Sequence, residues 1–219
     1  MKTLHPETFE FLNQLKANNS KDWMDANRKW YQSMRDGLVD YANTLQQSFA
    51  EVYPMHVMDP KKYLSRINNN RRFHPDKPPY KTHFALMVKR RGPGLSDYYL
   101  HIEPDNVFIG VGLYHPPREL LNALRDLIAV RGQDLQAIEQ EPSFKKVYGS
   151  FQGEKLKKAP KGFDIDHPYI ELLRHKDLVI MKNLKPESLF TEKGLKEIKE
   201  AFQAALPFMD FIDEAIASV

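Results

Sequence analysis

The residues with the most obvious chemistry lie between positions 61 and 91, KKYLSRINNNRRFHPDKPPYKTHFALMVKRR. Ten are basic: Lys61, Lys62, Arg66, Arg71, Arg72, Lys77, Lys81, Lys89, Arg90 and Arg91. Only Asp76 is acidic, so the stretch carries +9 in a chain whose total is +3, and everything outside it sums to −6. Guanidinium groups grip carboxylates and phosphates with paired N–H donors, and ammonium groups add compact charge. Tyr63, Phe73 and Tyr80 stand among these cations. The chemistry is that of holding an anion. Arg66 and Arg72 would grip it, Lys77 and Lys81 would add charge, and Tyr80 would orient it through its hydroxyl, helped by Thr82. Phe73 and Asp76 complete the candidate ligand-binding set.

The same charges admit two other readings. The segment could contact a nucleic-acid backbone, with Phe73 and Tyr80 as stacking surfaces. It could also belong to a structural or partner-binding domain, with the arginines as an internal ion-pair network that spans to the acids of the remaining chain. A small-ligand site needs inward-pointing arginine tips in a hollow. A nucleic-acid surface needs the second basic stretch, 144–162, on the same face as Arg66 and Arg72. That stretch holds Lys145, Lys146, Lys155, Lys157, Lys158 and Lys161 against Glu154, a net of +5. An anionic small molecule, carrying phosphate or carboxylate, is the partner the sequence favours. No cofactor can be named and no reaction follows from it; acid–base work would fall to His74, Asp76, Tyr80 or His101.

The eight histidines show no close ligand pair of the zinc-protease type. His83, His101 and His115 fall on or beside neighbouring strand segments and could approach in space. Asp164, Asp166 and His167 precede a Pro-started helix, where acids act as caps. No metal site is expected at either place. Gly110-Val111-Gly112 lacks the third glycine and the strand-then-helix setting of a dinucleotide fingerprint, and no phosphate loop or nucleophile elbow occurs.

The elements that must position these groups are legible from periodicity. Residues 5–18 predict a helix, with Pro6 in its first turn and Phe9, Leu12 and Leu15 at helical spacing. Ser20 predicts an N-cap, and an apolar stripe from Trp23 to Phe49 a helix to about residue 50, kinked or broken at Gly37. Trp23 and Trp30 read as core. Strands are expected over 62–67, 84–90, 97–103 and 107–113, with turns at Asn68–Asn70, Gly92–Gly94 and Pro104–Asn106, and a loop carrying Pro75, Pro78 and Pro79. Helices are expected from Pro116 through Ile128, around Leu135 and Ile138, and over 167–175. The stretch 144–162 reads as loop, 177–184 as strand, and 191–218 as helix interrupted at Pro207. Successive strands joined by short turns imply an antiparallel meander with helices packed on it, in a single α+β domain.

The chain has 219 residues, 42% of them hydrophobic and 28% charged, an ordinary globular balance with room for a substantial core. It has no cysteine, so disulfides, thiol nucleophiles and thiolate metal sites are excluded. No window approaches the roughly 18 apolar residues of a membrane span, and MKTLHPETFEFLNQ lacks a signal-peptide core. A cytoplasmic setting without membrane contact is the expectation.

The segment SRINNNRRFHPDKPPYKTH resembles the bacterial family catalogued as domain of unknown function 2461. That family carries Arg-x-x-Arg-Asp-x-Arg-Phe, then Asp or Asn followed by Lys and, three positions on, Tyr. Arg66, Arg72, Phe73, Asp76, Lys77 and Tyr80 fill matching positions. NNSKDWMDANRKWY, YYLHIEPDNVFIGVGLYHP and KKAPKGFDIDHPYIELLRHKDL extend the likeness over most of the chain. Asn69 and Asn70 stand where the family has Arg and Asp, and Asn offers neither a bidentate grip nor a base. The resemblance implies no activity, because the family has none established.

Overall fold

The computed structural model describes residues 2–55, 58–72, 74–89 and 97–219. Phe73, Arg90, Arg91, His56, the Gly92–Gly94 turn and the side chain of Lys89 lie outside what is described. Strands β1 (Phe84–Lys89), β2 (Asp97–Glu103), β3 (Asn106–Leu113) and β4 (Leu178–Leu184) form an antiparallel sheet in that order. With helices α1 (Glu7–Ala17), α2 (Lys21–Ala26), α3 (Arg28–Ala50), α4 (Arg118–Gln140), α5 (Pro142–Tyr148), α6 (Ile170–Leu173) and α7 (Glu192–Ala217), the fold is α+β, as the sequence predicts. The chain divides into two compact units. One holds Met1–Val88, Tyr98–Ile109 and Asn183–Glu200; the other is built from Gly110–Lys182 and Ala201–Val219.

In the first unit, the alternation of β2 sends Tyr98, Leu100 and Ile102 into the core, where they join Phe84, Leu86 and Ile109. Helices cover that face. The Phe11 ring of α1 lies 6.1 Å from Phe84 and meets Trp30 edge-on at 5.2 Å, while Phe49 of α3 meets Tyr98 edge-on at 5.3 Å. Ser20 caps α2 by accepting the Trp23 N–H at 3.2 Å, as expected. The break in the long N-terminal stripe falls at Asn27, whose side chain donates to the Trp23 carbonyl at 2.8 Å, and not at Gly37. A helical glycine costs about 1 kcal/mol. Burying Met34, Leu38 and Tyr41 on the adjoining turns outweighs this at roughly 1.5–3 kcal/mol per large side chain. The strand expected at 62–67 begins instead as a 3₁₀ turn, Pro60–Tyr63, because Asp59 caps it by accepting the Lys61 N–H at 3.0 Å.

In the second unit, α4 consists of two helical segments joined across a kink at Arg131 (φ −122°, ψ 24°), in keeping with the two helices expected there. The Arg131 guanidinium holds that kink by donating to Asp134 at 2.7 Å and to Glu214. The expected loop at 144–162 starts as helix α5. The Glu141 carboxylate accepts the Ser143 and Phe144 N–H groups at 2.7 and 3.2 Å, and Phe144 packs 5.3 Å from Phe151. Helix α7 passes Pro207 without interruption. The carbonyl deprived of its partner there is that of Gln203, an exposed position where water can serve it.

Gly112 lets β4 approach β3. It has φ +126°, and a Cβ would stand 2.3 Å from the Leu178 carbonyl oxygen. Gly112→Ala is expected to lower stability by at least about 2 kcal/mol through backbone strain and overpacking, read as a lower urea midpoint with unchanged m-value.

Candidate functional site

The cationic segment folds as an irregular hairpin beside β1. Leu64 stands opposite Leu86 and Asn68 opposite Tyr80, both antiparallel. The Ser65 N–H donates to Ala85 O at 2.9 Å, Lys81 N–H to Ile67 O at 2.8 Å and Asn69 N–H to Pro79 O at 3.0 Å. Three prolines keep this from becoming a regular ladder, since each lacks a donor. Asn69 closes the loop with its side chain, donating to the Pro78 carbonyl at 2.8 Å. Asn69 thus supports the backbone at a position where the family motif has a cation.

The hairpin is anchored at its base by Asn19, in the turn between α1 and α2. Asn19 Nδ2 donates to the Tyr80 carbonyl at 2.9 Å, and Asn19 Oδ1 accepts the Tyr80 N–H at 3.1 Å. One amide thereby satisfies both backbone groups of a residue that has no full ladder to do so.

Of the predicted site residues, Arg66, Arg72, Asp76 and Lys77 are exposed and Lys81 is half-buried. Phe73 lies outside the described residues. Tyr80 is 6% exposed, which places its ring in the packed interior. Arg71 folds back to donate to the Pro75 carbonyl at 3.4 Å. Among the described residues, Arg66, Arg71, Lys77 and Lys81 form no ion pair. Two hollows among the described residues lie elsewhere. One runs along α4 and the end of α7 past Glu119 and Val130; the other runs along α3 past Asp40 and Glu51.

Immediately after the hairpin, the sheet face opposite the core gathers polar groups. The Thr82 hydroxyl donates to Glu103 Oε1 at 3.1 Å, Glu103 Oε2 lies 3.5 Å from His101 Nε2, and His101 Nδ1 lies 3.0 Å from the Tyr99 hydroxyl. The His83 ring sits 4.4 Å from that of His101, which stacks on Phe108 at 4.8 Å. Burial, then the neighbouring His101 and Lys81, push His83 down to about 4; Glu103 opposes them. Burial also lowers His101 against the pull of Glu103, and raises Tyr99. Burial thus keeps the His83 and His101 rings from taking up a proton beside the Glu103 carboxylate, and Tyr99 keeps its own proton in this carboxylate–imidazole–hydroxyl chain. Such a chain can donate a proton at the Tyr99 hydroxyl and draw on Glu103 to steady the imidazole.

His101 is the one sequence candidate for acid–base work that this chain includes. His74 and Asp76 are exposed on the hairpin and Tyr80 is buried. His83 and His101 do approach, as their strand positions suggest; His115 belongs to the second unit. Among the described residues no group of three His, Asp or Glu side chains is arranged to hold a metal ion. The acids at 164–166 form a turn, with Asp164 Oδ1 accepting the Asp166 N–H at 3.0 Å. The strand alternation that set Tyr99 and His101 on one side also points to Glu103. Asn19 had no signal, because its partner is 61 residues away.

Asn19→Ala should destabilise the protein by about 2 kcal/mol, two hydrogen bonds at about 1 kcal/mol each, read from the denaturant midpoint. The lowered histidines set a pH dependence. The unfolded chain takes up a proton at His83 near 6.5, whereas the folded chain declines it until about 4. Acidification through that window favours unfolding, so stability is higher above 6.5 and falls toward 4. The denaturant midpoint at pH 7.5 and pH 5 should differ in that direction, and His83→Gln should flatten the slope.

No curated protein and no solved structure matches the chain. A family profile, described as a conserved hypothetical protein, does match, and it spans residues 7–211. With its hairpin motif and most of its length inside that match, the chain belongs to the DUF2461 family.

Proposed function

We propose that the hairpin 64–81 is an anion-binding element, with Arg66 and Arg72 gripping the phosphate or carboxylate of a small molecule and Lys77 and Lys81 adding charge. Tyr80 then serves the grip through its backbone, by fixing the hairpin on Asn19, while Phe73 and Asp76 lie within the same loop. The observation that carries this reading is that Arg66, Arg71, Lys77 and Lys81 crowd one short hairpin without an ion pair among the described residues. Uncompensated cations at this density bind counter-anions, and paired N–H donors favour oxyanions over halides. The exposure of the arginines supports an open grip on a charged headgroup in preference to an enclosed apolar ligand. The Tyr99–His101–Glu103 chain beside Lys81 and His83 would add hydrogen-bonding groups to the same ligand. The setting proposed is the cytoplasm, where phosphorylated and carboxylated metabolites abound; no helix among the described residues is long and apolar enough to cross a membrane.

The test is thermal stabilisation by inorganic pyrophosphate and by citrate at fixed ionic strength. A ligand at 100 times its Kd stabilises by about 2.7 kcal/mol, so the melting temperature should rise by several degrees. Arg66→Ala with Arg72→Ala should abolish the rise while leaving the unliganded melting temperature within about a degree; Lys145→Ala with Lys146→Ala should leave the rise intact. An unchanged rise in the arginine double variant sinks the assignment. A binding constant for single-stranded oligonucleotide that falls steeply with salt, and is lost in the same variant, would move the reading to nucleic acid.

A further inference from the structure

In the second unit a groove of about 670 Å³ runs between α4 and the end of α7. Its α4 wall carries Glu119, Ala123, Asp126, Leu127 and Val130, a spacing of threes and fours that sets them on one helix face. Ala215 and Val219 line the α7 wall. The floor is apolar, with Ala215 1% exposed and Ala123 and Leu127 half-buried. Val130 is 82% exposed, a branched aliphatic side chain left in water at the groove's end. From Glu119 to Val130 the face is about 16 Å long, roughly three helical turns.

The charge along this apolar strip is of one sign. Glu119 and Asp126 are exposed, two turns apart on the same face, and among the described residues neither forms an ion pair or a side-chain hydrogen bond. Glu214 on the α7 side is taken by the Arg131 guanidinium. Arg125 spends its guanidinium on the Leu173 and His175 carbonyls at 3.0 and 3.1 Å. Among the described residues no Lys or Arg lines the groove. A second copy laid on this face about a two-fold axis would set its carboxylates among like charges, and an anionic lipid surface would be repelled by them. An extended segment is no better suited. Helical walls spend their backbone groups internally and offer no sheet edge, so its amides would find no partners there. A helix arrives with its backbone already satisfied.

We propose that this groove docks a cationic amphipathic helix of a partner protein, about three turns long. Aliphatic side chains on one face of that helix pack on Leu127 and Val130, and Lys or Arg side chains along its edge reach Glu119 and Asp126. The aliphatic contacts take Val130 out of water and supply the affinity, while the charges steer the helix and fix its direction. The anion-binding hairpin belongs to the other unit, so the two readings stand or fall separately.

The probe is the peptide fluorescein-KLKKLLKKLKKLLK-amide, whose leucines share one helical face, titrated with the full chain and followed by fluorescence anisotropy. The chain carries +3, so its net charge does not draw the peptide in. Binding should be saturable, and a peptide of the same composition with leucines spread around the helix should bind at least about tenfold more weakly. Glu119→Gln with Asp126→Asn should weaken binding about tenfold and flatten its salt dependence. Val130→Ser should weaken it at least about fivefold. All three positions are exposed, so these variants should keep the wild-type melting temperature. Glu187→Gln with Glu200→Gln removes the same charge at exposed positions outside the groove and should bind within about twofold of wild type. No saturable binding, equal binding of the two peptides, or wild-type binding by either groove variant overturns the proposal. So does a dimer in sedimentation that Val130→Ser dissociates, which would give the groove to a second copy.

Discussion

Like charges repel, and a hairpin this rich in cations keeps its shape only if other bonds hold it against that repulsion. The backbone bonds from Ser65, Asn69 and Lys81 and the two side-chain amides of Asn19 and Asn69 do so. None of these involves a charge. The consequence is that the hairpin's geometry does not require its cations to find acids within the protein. A network of arginine–carboxylate pairs would have fixed the loop and consumed its charge together. Separating the two tasks leaves Arg66, Arg71, Lys77 and Lys81 without an ion pair among the described residues and able to meet something else.

The groups beneath the hairpin follow the same logic. His83 and His101 could add positive charge beside Lys81, and burial prevents it, with Lys81 itself opposing protonation of His83. The hydrogen bonds of His101 then run to Glu103 and Tyr99 instead of to solvent. Imidazoles that stay uncharged under a cationic loop add nothing to its positive field. Low dielectric near half-buried groups strengthens each of those hydrogen bonds, and each would be costly to leave unmade.

Much of the scaffold was legible in the residues, because hydrophobic period and capping are local. Ser20 caps where expected, and β2 alternates as DYYLHIE requires. The errors were also local signals, overridden by burial. Gly37 and Pro207 sit on exposed turns of helices whose other side is buried, so neither breaks its helix. Glu141 turned an apparent loop into α5 by capping two N–H groups. The site divides in the same way. The charge excess at 61–91 is visible in composition, and the exposure of Arg66, Arg71, Arg72 and Lys77 is what a charged loop rich in proline gives. Asn19 with Tyr80, and His115 with Asp177, are pairings made by topology across about sixty residues. No spacing in the sequence announces them.

The two units place charge in opposite environments, and the magnitudes say how much each placement means. A surface cation left unpaired costs almost nothing, and pairing it would gain about 0–1 kcal/mol. The hairpin's composition therefore cannot be explained by stability and is neutral toward it. A carboxylate taken out of water costs several kcal/mol unless a partner repays it. At Asp177, buried just before β4, the partner on hand is the exposed imidazole of His115, held in a strained backbone. A leucine or an asparagine at position 177 would avoid the cost of the buried charge. The acid kept there instead accepts the N–H of that strained residue at 2.6 Å, a charge-assisted bond that a leucine could not make, and so holds the turn after β3 in place.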